Sequence, residues 1–172
     1  MYPIINDKAV KLEGVPQPSA GSPSPVVVSD DHTLLLAYNI QRGEPRLQAG
    51  EVLTDSDNSV FAEEVAIVEF RNYLSYSFGS PNDEALNGHP LYGRGLENYA
   101  VFEVIESSWI KELEKRNSVH PMHSPQAFQS LHHYVFTFHD STFECVAPRS
   151  EISRHREPLS ALLPVMTRRL IR

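Results

Sequence analysis

The sequence predicts an α+β fold, a single domain built mainly on antiparallel sheet with a few short helices covering one face or end. Three observations carry that expectation. Residues 132–147 read HHYVFTFHDSTFECVA, two β-rich runs around a turn-like centre. Residues 98–107, NYAVFEVIES, alternate, with Ala100, Phe102 and Val104 opposite Tyr99, Val101 and Ile105. The chain then changes period in SSWIKELEKRN (107–117), where Trp109, Ile110 and Leu113 fall on one helical face.

From the N-terminus, GVPQPSAGSPSP (14–25) holds four of the thirteen prolines among Gly and Ser. Such a stretch offers few apolar groups to bury and few backbone donors, so residues 1–25 read as an arm and linker, and 26–172 as the packed domain. VVVSDDHTLLLAYNI (26–40) is a hairpin around Ser-Asp-Asp-His, and 41–59 is a polar connection. In 60–79 the second half alternates, placing Leu74, Tyr76 and Phe78 on one strand face, while a helix competes over 60–70. Residues 80–98 form a long break with a helical turn at 82–87. In the 107–117 helix, Ser107 or Ser108 caps the start and Asn117 suits the end. A second short helix lies in SPQAFQSL (124–131), with Ser124 as cap and Pro125 at the first position. A third lies in 157–172, where Pro164 should kink or end it.

In the 132–147 hairpin, a turn centred on Asp140 and Ser141 sets Phe138 against Phe143, Phe136 against Cys145 and Tyr134 against Ala147. All are apolar or nearly so, and this agreement sets the register. Cys145 then points inward as an unreactive thiol. The opposite face gathers His133, Thr137, His139, Thr142 and Glu144, read as a polar surface.

The chain has 172 residues and a formal charge of -7. The C-terminal segment 149–172 is basic, with six arginines against two glutamates, so it should dock on the acidic body, on a sister subunit or on an anionic partner. The acidic bulk counts against nucleic acid. A single cysteine excludes an internal disulfide framework. MYPIINDKAVKLEG does not read as a signal peptide and no apolar run reaches membrane-spanning length, so a cytoplasmic location is expected and a membrane partner is not.

Two runs, NGHPLYGRGLENYAVFEVIESSWIKELEKRNSVHP (87–121) and LHHYVFTFHDSTFECVA (131–147), resemble a family of small bacterial proteins of unassigned function. The resemblance implies a bacterial, stand-alone domain and carries no activity, cofactor or residue role.

The functional expectation is a non-enzymatic binding or regulatory domain for a protein partner or a small anionic ligand, with a homo-oligomer left open. The loop HPLYGRGLENY supplies its ligand-binding candidates His89, Tyr92 and Arg94, because Tyr and Arg anchor interfaces and a guanidinium suits anions. The alternative is a small hydrolase. Its metal-free form pairs His139 with Asp140 or Glu144 for acid–base work. Its metal form draws on His120, His123, His133, His139 and Glu144, nitrogen and carboxylate donors suited to Zn or another transition metal. No cofactor is expected in the first reading.

Overall fold

The computed structural model describes residues 2–21, 25–40 and 64–170. It is an α+β fold of two facing antiparallel sheets with short helical segments on their outer sides. The expected polar connection 41–59 lies outside the described residues.

The five-stranded sheet contains β1 (Lys8–Lys11), β5 (Ser75–Gly79), β6 (Val101–Ile105), β7 (His132–Thr137) and β8 (Thr142–Ala147), in the order β1-β6-β7-β8-β5. The four-stranded sheet runs β2-β3-β4-β9, with β2 (Val26–Ser29), β3 (Thr33–Asn39), β4 (Val65–Arg71) and β9 (Glu151–His155). The β2–β3 hairpin forms as expected: Asp30 Oδ1 accepts from the His32 and Thr33 amides at 2.8 and 2.7 Å. Residues 65–71 are strand, so the competing helix there does not form. β3 and β4 are buried on both faces, which explains why their apolar runs fit no single period. Leu34, Leu36, Tyr38, Ala66, Val68 and Phe70 fill the space between the sheets with Tyr134, Phe136, Phe143 and Cys145. Their neighbours Leu35, Ala37, Val65 and Ile67 face α3 (Leu159–Leu170), which buries Leu162 and Met166 against them.

Three expectations change. Of the expected arm and linker over 1–25, the described residues 2–21 do not stay outside the domain: β1 pairs with β6, and Pro18 bridges Ile40. A four-residue strand is too short to show a period, and its partner lies about ninety residues away, so sequence spacing carries no trace of it. The hairpin register moves by two residues, setting Phe136 against Phe143 and Tyr134 against Cys145. The loop closes one pair earlier, through the Phe138 amide and the Ser141 carbonyl at 2.8 Å. A shift of two keeps every side chain on its face, so Cys145 is still buried among the aromatics. Finally, α3 continues through Pro164, so of the kink or end expected there the end does not occur.

The basic segment does dock on the body. Within it, β9 pairs with β4, and Arg169 lies 3.6 Å from Glu69.

Candidate functional site

The outer face of the five-stranded sheet is not the polar surface the alternation suggested. Ile4, Leu86, Leu91 and Leu96 cover it around Ala9, Phe102, Val104 and Val135, forming a second apolar layer. α1 (Ser108–Asn117) packs beside that layer against β7. His133, Thr137 and Thr142 are therefore buried.

Inside this layer three parts of the chain converge on Glu144, which stands opposite Val135 on the β7–β8 pair. Its Oε2 accepts from the Tyr2 hydroxyl at 2.7 Å and lies 3.0 Å from His133 Nε2. Its Oε1 lies 3.5 Å from His89 Nε2. The histidines are oriented from behind. His89 Nδ1 accepts the Leu91 amide at 3.2 Å, so a neutral His89 ring carries its hydrogen on Nε2, aimed at the carboxylate. His133 Nδ1 meets Ser107 Oγ at 2.9 Å, and the same oxygen caps α1 by accepting from the Ile110 amide at 3.2 Å. Burial alone would raise the Glu144 carboxyl, but the hydrogen bonds from His133 and His89, the His133 charge and the Tyr2 bond outweigh it. The carboxyl is held well below its ordinary range. Burial, and then the neighbouring Glu144 charge, push the Tyr2 phenol up, so it remains a donor.

Ser107, His133 and Glu144 are the residue types of a nucleophile–base–acid relay, but here the chain ends in a helix cap. Ser107 is 5% exposed and His133 is fully buried. With Tyr2 in place the relay is closed off from solvent, and its Ser107 oxygen both braces His133 and caps α1.

A second polar cluster sits at the surface. Asp83 Oδ2 lies 2.8 Å from His139 Nδ1 and also accepts from the Tyr99 hydroxyl. Tyr99 adopts a left-handed backbone (φ 56°). The Asp83 hydrogen bond and its charge, then the charge of Asp140, raise the His139 imidazole above its ordinary value. Bonds from Tyr99 and His139 lower the Asp83 carboxyl.

The sequence candidates are thus dealt to separate places. His89 turns inward to Glu144. Arg94 donates to the carbonyls of Ile5 and Asp7 at 3.1 and 3.4 Å, tying down the N-terminal segment. Tyr92 is exposed and lines an open depression with Gly95, Leu96, Glu97 and Asn98. Of the acid–base candidates, His139 bonds Asp83 instead of Glu144, and Asp140 acts on it through charge alone. Of the metal candidates, His133 and Glu144 meet, His139 is with Asp83, and His120 and His123 lie beyond α1. There His120 Nδ1 accepts the Met122 amide, and His123 pairs with Asn117. Among the described residues no three His, Cys, Asp or Glu side chains are set to share a metal ion. Tyr2, Asp83 and Tyr99 were not singled out by the sequence, since nothing in local spacing links them to their partners.

The fold and this polar network define a class, a two-sheet α+β domain with a closed carboxylate–imidazole cluster under its N-terminal segment. No protein-family model, curated protein or solved structure matches the chain. Among the described residues no helix is long and apolar enough to cross a membrane.

Proposed function

We propose that this domain is a non-enzymatic binding module that recruits a protein partner by accepting an extended segment along β5. One observation carries the reading. Among the described residues β5 is the outer strand of its sheet, and Leu74, Tyr76 and Phe78, on one face, are 45%, 38% and 42% exposed. Outer strands are ordinarily guarded by charge. Among the described residues, the outer strands β1 and β9 carry Lys8, Lys11, Glu151 and Arg154, whereas β5 and β2 have no charged residue, and of these two only β5 lies beside exposed large apolar side chains. An unguarded edge beside an apolar row suits a strand whose alternate side chains are apolar. A protein partner is favoured over a small anion because the Arg94 guanidinium is already bonded to backbone carbonyls.

Affinity capture from the native host with wild type, Phe78→Lys and Tyr92→Ala tests this. The reading expects one partner recovered with wild type and Tyr92→Ala and lost with Phe78→Lys. Equal recovery with Phe78→Lys contradicts it.

A second reading, acid–base hydrolysis, has one observation in its favour. Asp83 fixes His139 Nδ1, the imidazole is half exposed, and among the described residues no partner reaches its Nε2. That is the posture of a general base. Ester hydrolysis above background that disappears in His139→Ala supports it, and identical rates for the two proteins remove it.

A further inference from the structure

We infer that the space filled by the Tyr2 ring is a binding site for a para-substituted phenol, built by Trp109, His133 and Glu144 of the folded body and plugged by the protein's own N-terminal segment. The ring is held as a ligand would be. It lies parallel to Trp109, with centroids 5.3 Å apart and planes 5° apart, and meets His133 edge-on at 5.7 Å. Its hydroxyl reaches Glu144 at 2.7 Å. One wall is therefore an aromatic face, a second an imidazole, and the floor a carboxylate that stays ionised. Stacking surface plus one charge-assisted acceptor is the chemistry that selects a phenol over a plain arene.

The walls stand without Tyr2. Trp109 belongs to α1, whose start Ser107 caps; His133 is braced by Ser107, and Glu144 by His133 and His89. Trp109 and His133 also pack on each other directly, at 5.1 Å and 78°. By contrast, Tyr2 is anchored by little else. Among the described residues the first backbone bond tying the segment to the body comes at Ile5, whose amide donates to Ser108 Oγ at 3.1 Å. Pro3 between them is exposed and lacks an amide hydrogen. The chain leaves the ring from the carbon opposite the hydroxyl, so a ligand replacing it must carry its substituent there. The tether supplies Tyr2 at an effective concentration on the order of millimolar, which a free phenol must exceed in the intact protein.

Trp109 is the sole tryptophan, so its emission, excited beyond the phenol band, reads the pocket directly. The experiment titrates p-cresol, toluene and the peptide MYPIIN into Tyr2→Gly. p-Cresol is expected to alter Trp109 emission, to raise the melting temperature, and to bind at least about tenfold tighter than toluene, the ratio a single hydrogen bond supplies. Binding of p-cresol identifies a free phenol as sufficient; binding of the peptide alone identifies a tyrosine on a polypeptide as the occupant. Should Tyr2→Gly fail to fold by itself, the same variant is refolded with p-cresol, the peptide or toluene present, and recovery of the folded signal with p-cresol or the peptide but not with toluene is the expected result. Failure of both p-cresol and the peptide to bind, or equal binding of toluene and p-cresol, overturns the assignment.

Discussion

Replacing Glu144 by Gln keeps the side chain's size and removes its charge. The wild-type carboxylate accepts from Tyr2 at 2.7 Å and from His133 at 3.0 Å, with His89 at 3.5 Å. Hydrogen bonds to a charged group contribute about 1.5–3 kcal/mol each, against roughly 1 for neutral pairs, so the two short bonds lose about 0.5–2 kcal/mol apiece. The new amide nitrogen also faces an imidazole N–H, donor against donor. Together these give about 3 kcal/mol, within the range for breaking a buried pair. In a chain of this size that lowers the melting temperature by roughly 6–12 °C. Urea unfolding measures it directly, as a lower midpoint at unchanged slope. The sign with pH follows from the depressed carboxyl. The stabilisation is complete above the unfolded value, about 4.3, and is lost as pH falls from there towards the folded value. The gap between wild type and Glu144→Gln should therefore be widest near neutrality and shrink below about pH 4.3. A gap under about 0.5 kcal/mol at pH 7, as for an ordinary surface change, refutes the reasoning.

Other outcomes follow from single contacts. Gly95 has φ 103°, and a Cβ there would collide with the Ala9 carbonyl oxygen of β1. Gly95→Ala should cost at least about 2 kcal/mol in urea unfolding, where a tolerated change would cost a few tenths. Phe78→Lys should abolish partner capture while costing about 1–2 kcal/mol at most, because the ring is already 42% exposed and a lysine stem can keep part of its contact with Phe143. Asp83→Asn should lower the His139 titration midpoint in an NMR pH series, since the Asp83 bond and charge are the main causes of its elevation. The Cys145 thiol, raised by burial, should react with a disulfide reagent only at the rate of unfolding.

What the sequence disclosed follows the range of the forces involved. The α1 cap at Ser107, the turn at Asp30 and the alternation in β6 depend on neighbours a few residues apart, and each is found where spacing puts it. The inward face of Cys145 was legible because a strand's two-residue period survives a register error of two. The burial of the opposite face was not, for its cover comes from residues 4 and 86–96, far from the hairpin in sequence. The same holds for the polar groups. The sequence gathered His120, His123, His133 and His139 because they are close along the chain, whereas the structure sorts them by element. Glu144 takes its partners from positions 2, 89 and 133. His139 takes Asp83 and not the adjacent Asp140, because the Asp83 amide is itself fastened to the His139 carbonyl at 2.9 Å.

The central claim is that Glu144 is an interior anion shared by the N-terminal segment, the 86–96 loop and the β7–β8 pair. Its side-chain carboxyl carbon, assigned in a 13C-labelled sample, reports the ionisation directly through a pH titration. The account predicts a flat trace from pH 7 down past about 4.3 for as long as the protein remains folded. A midpoint at or above that ordinary value, in folded protein, contradicts it.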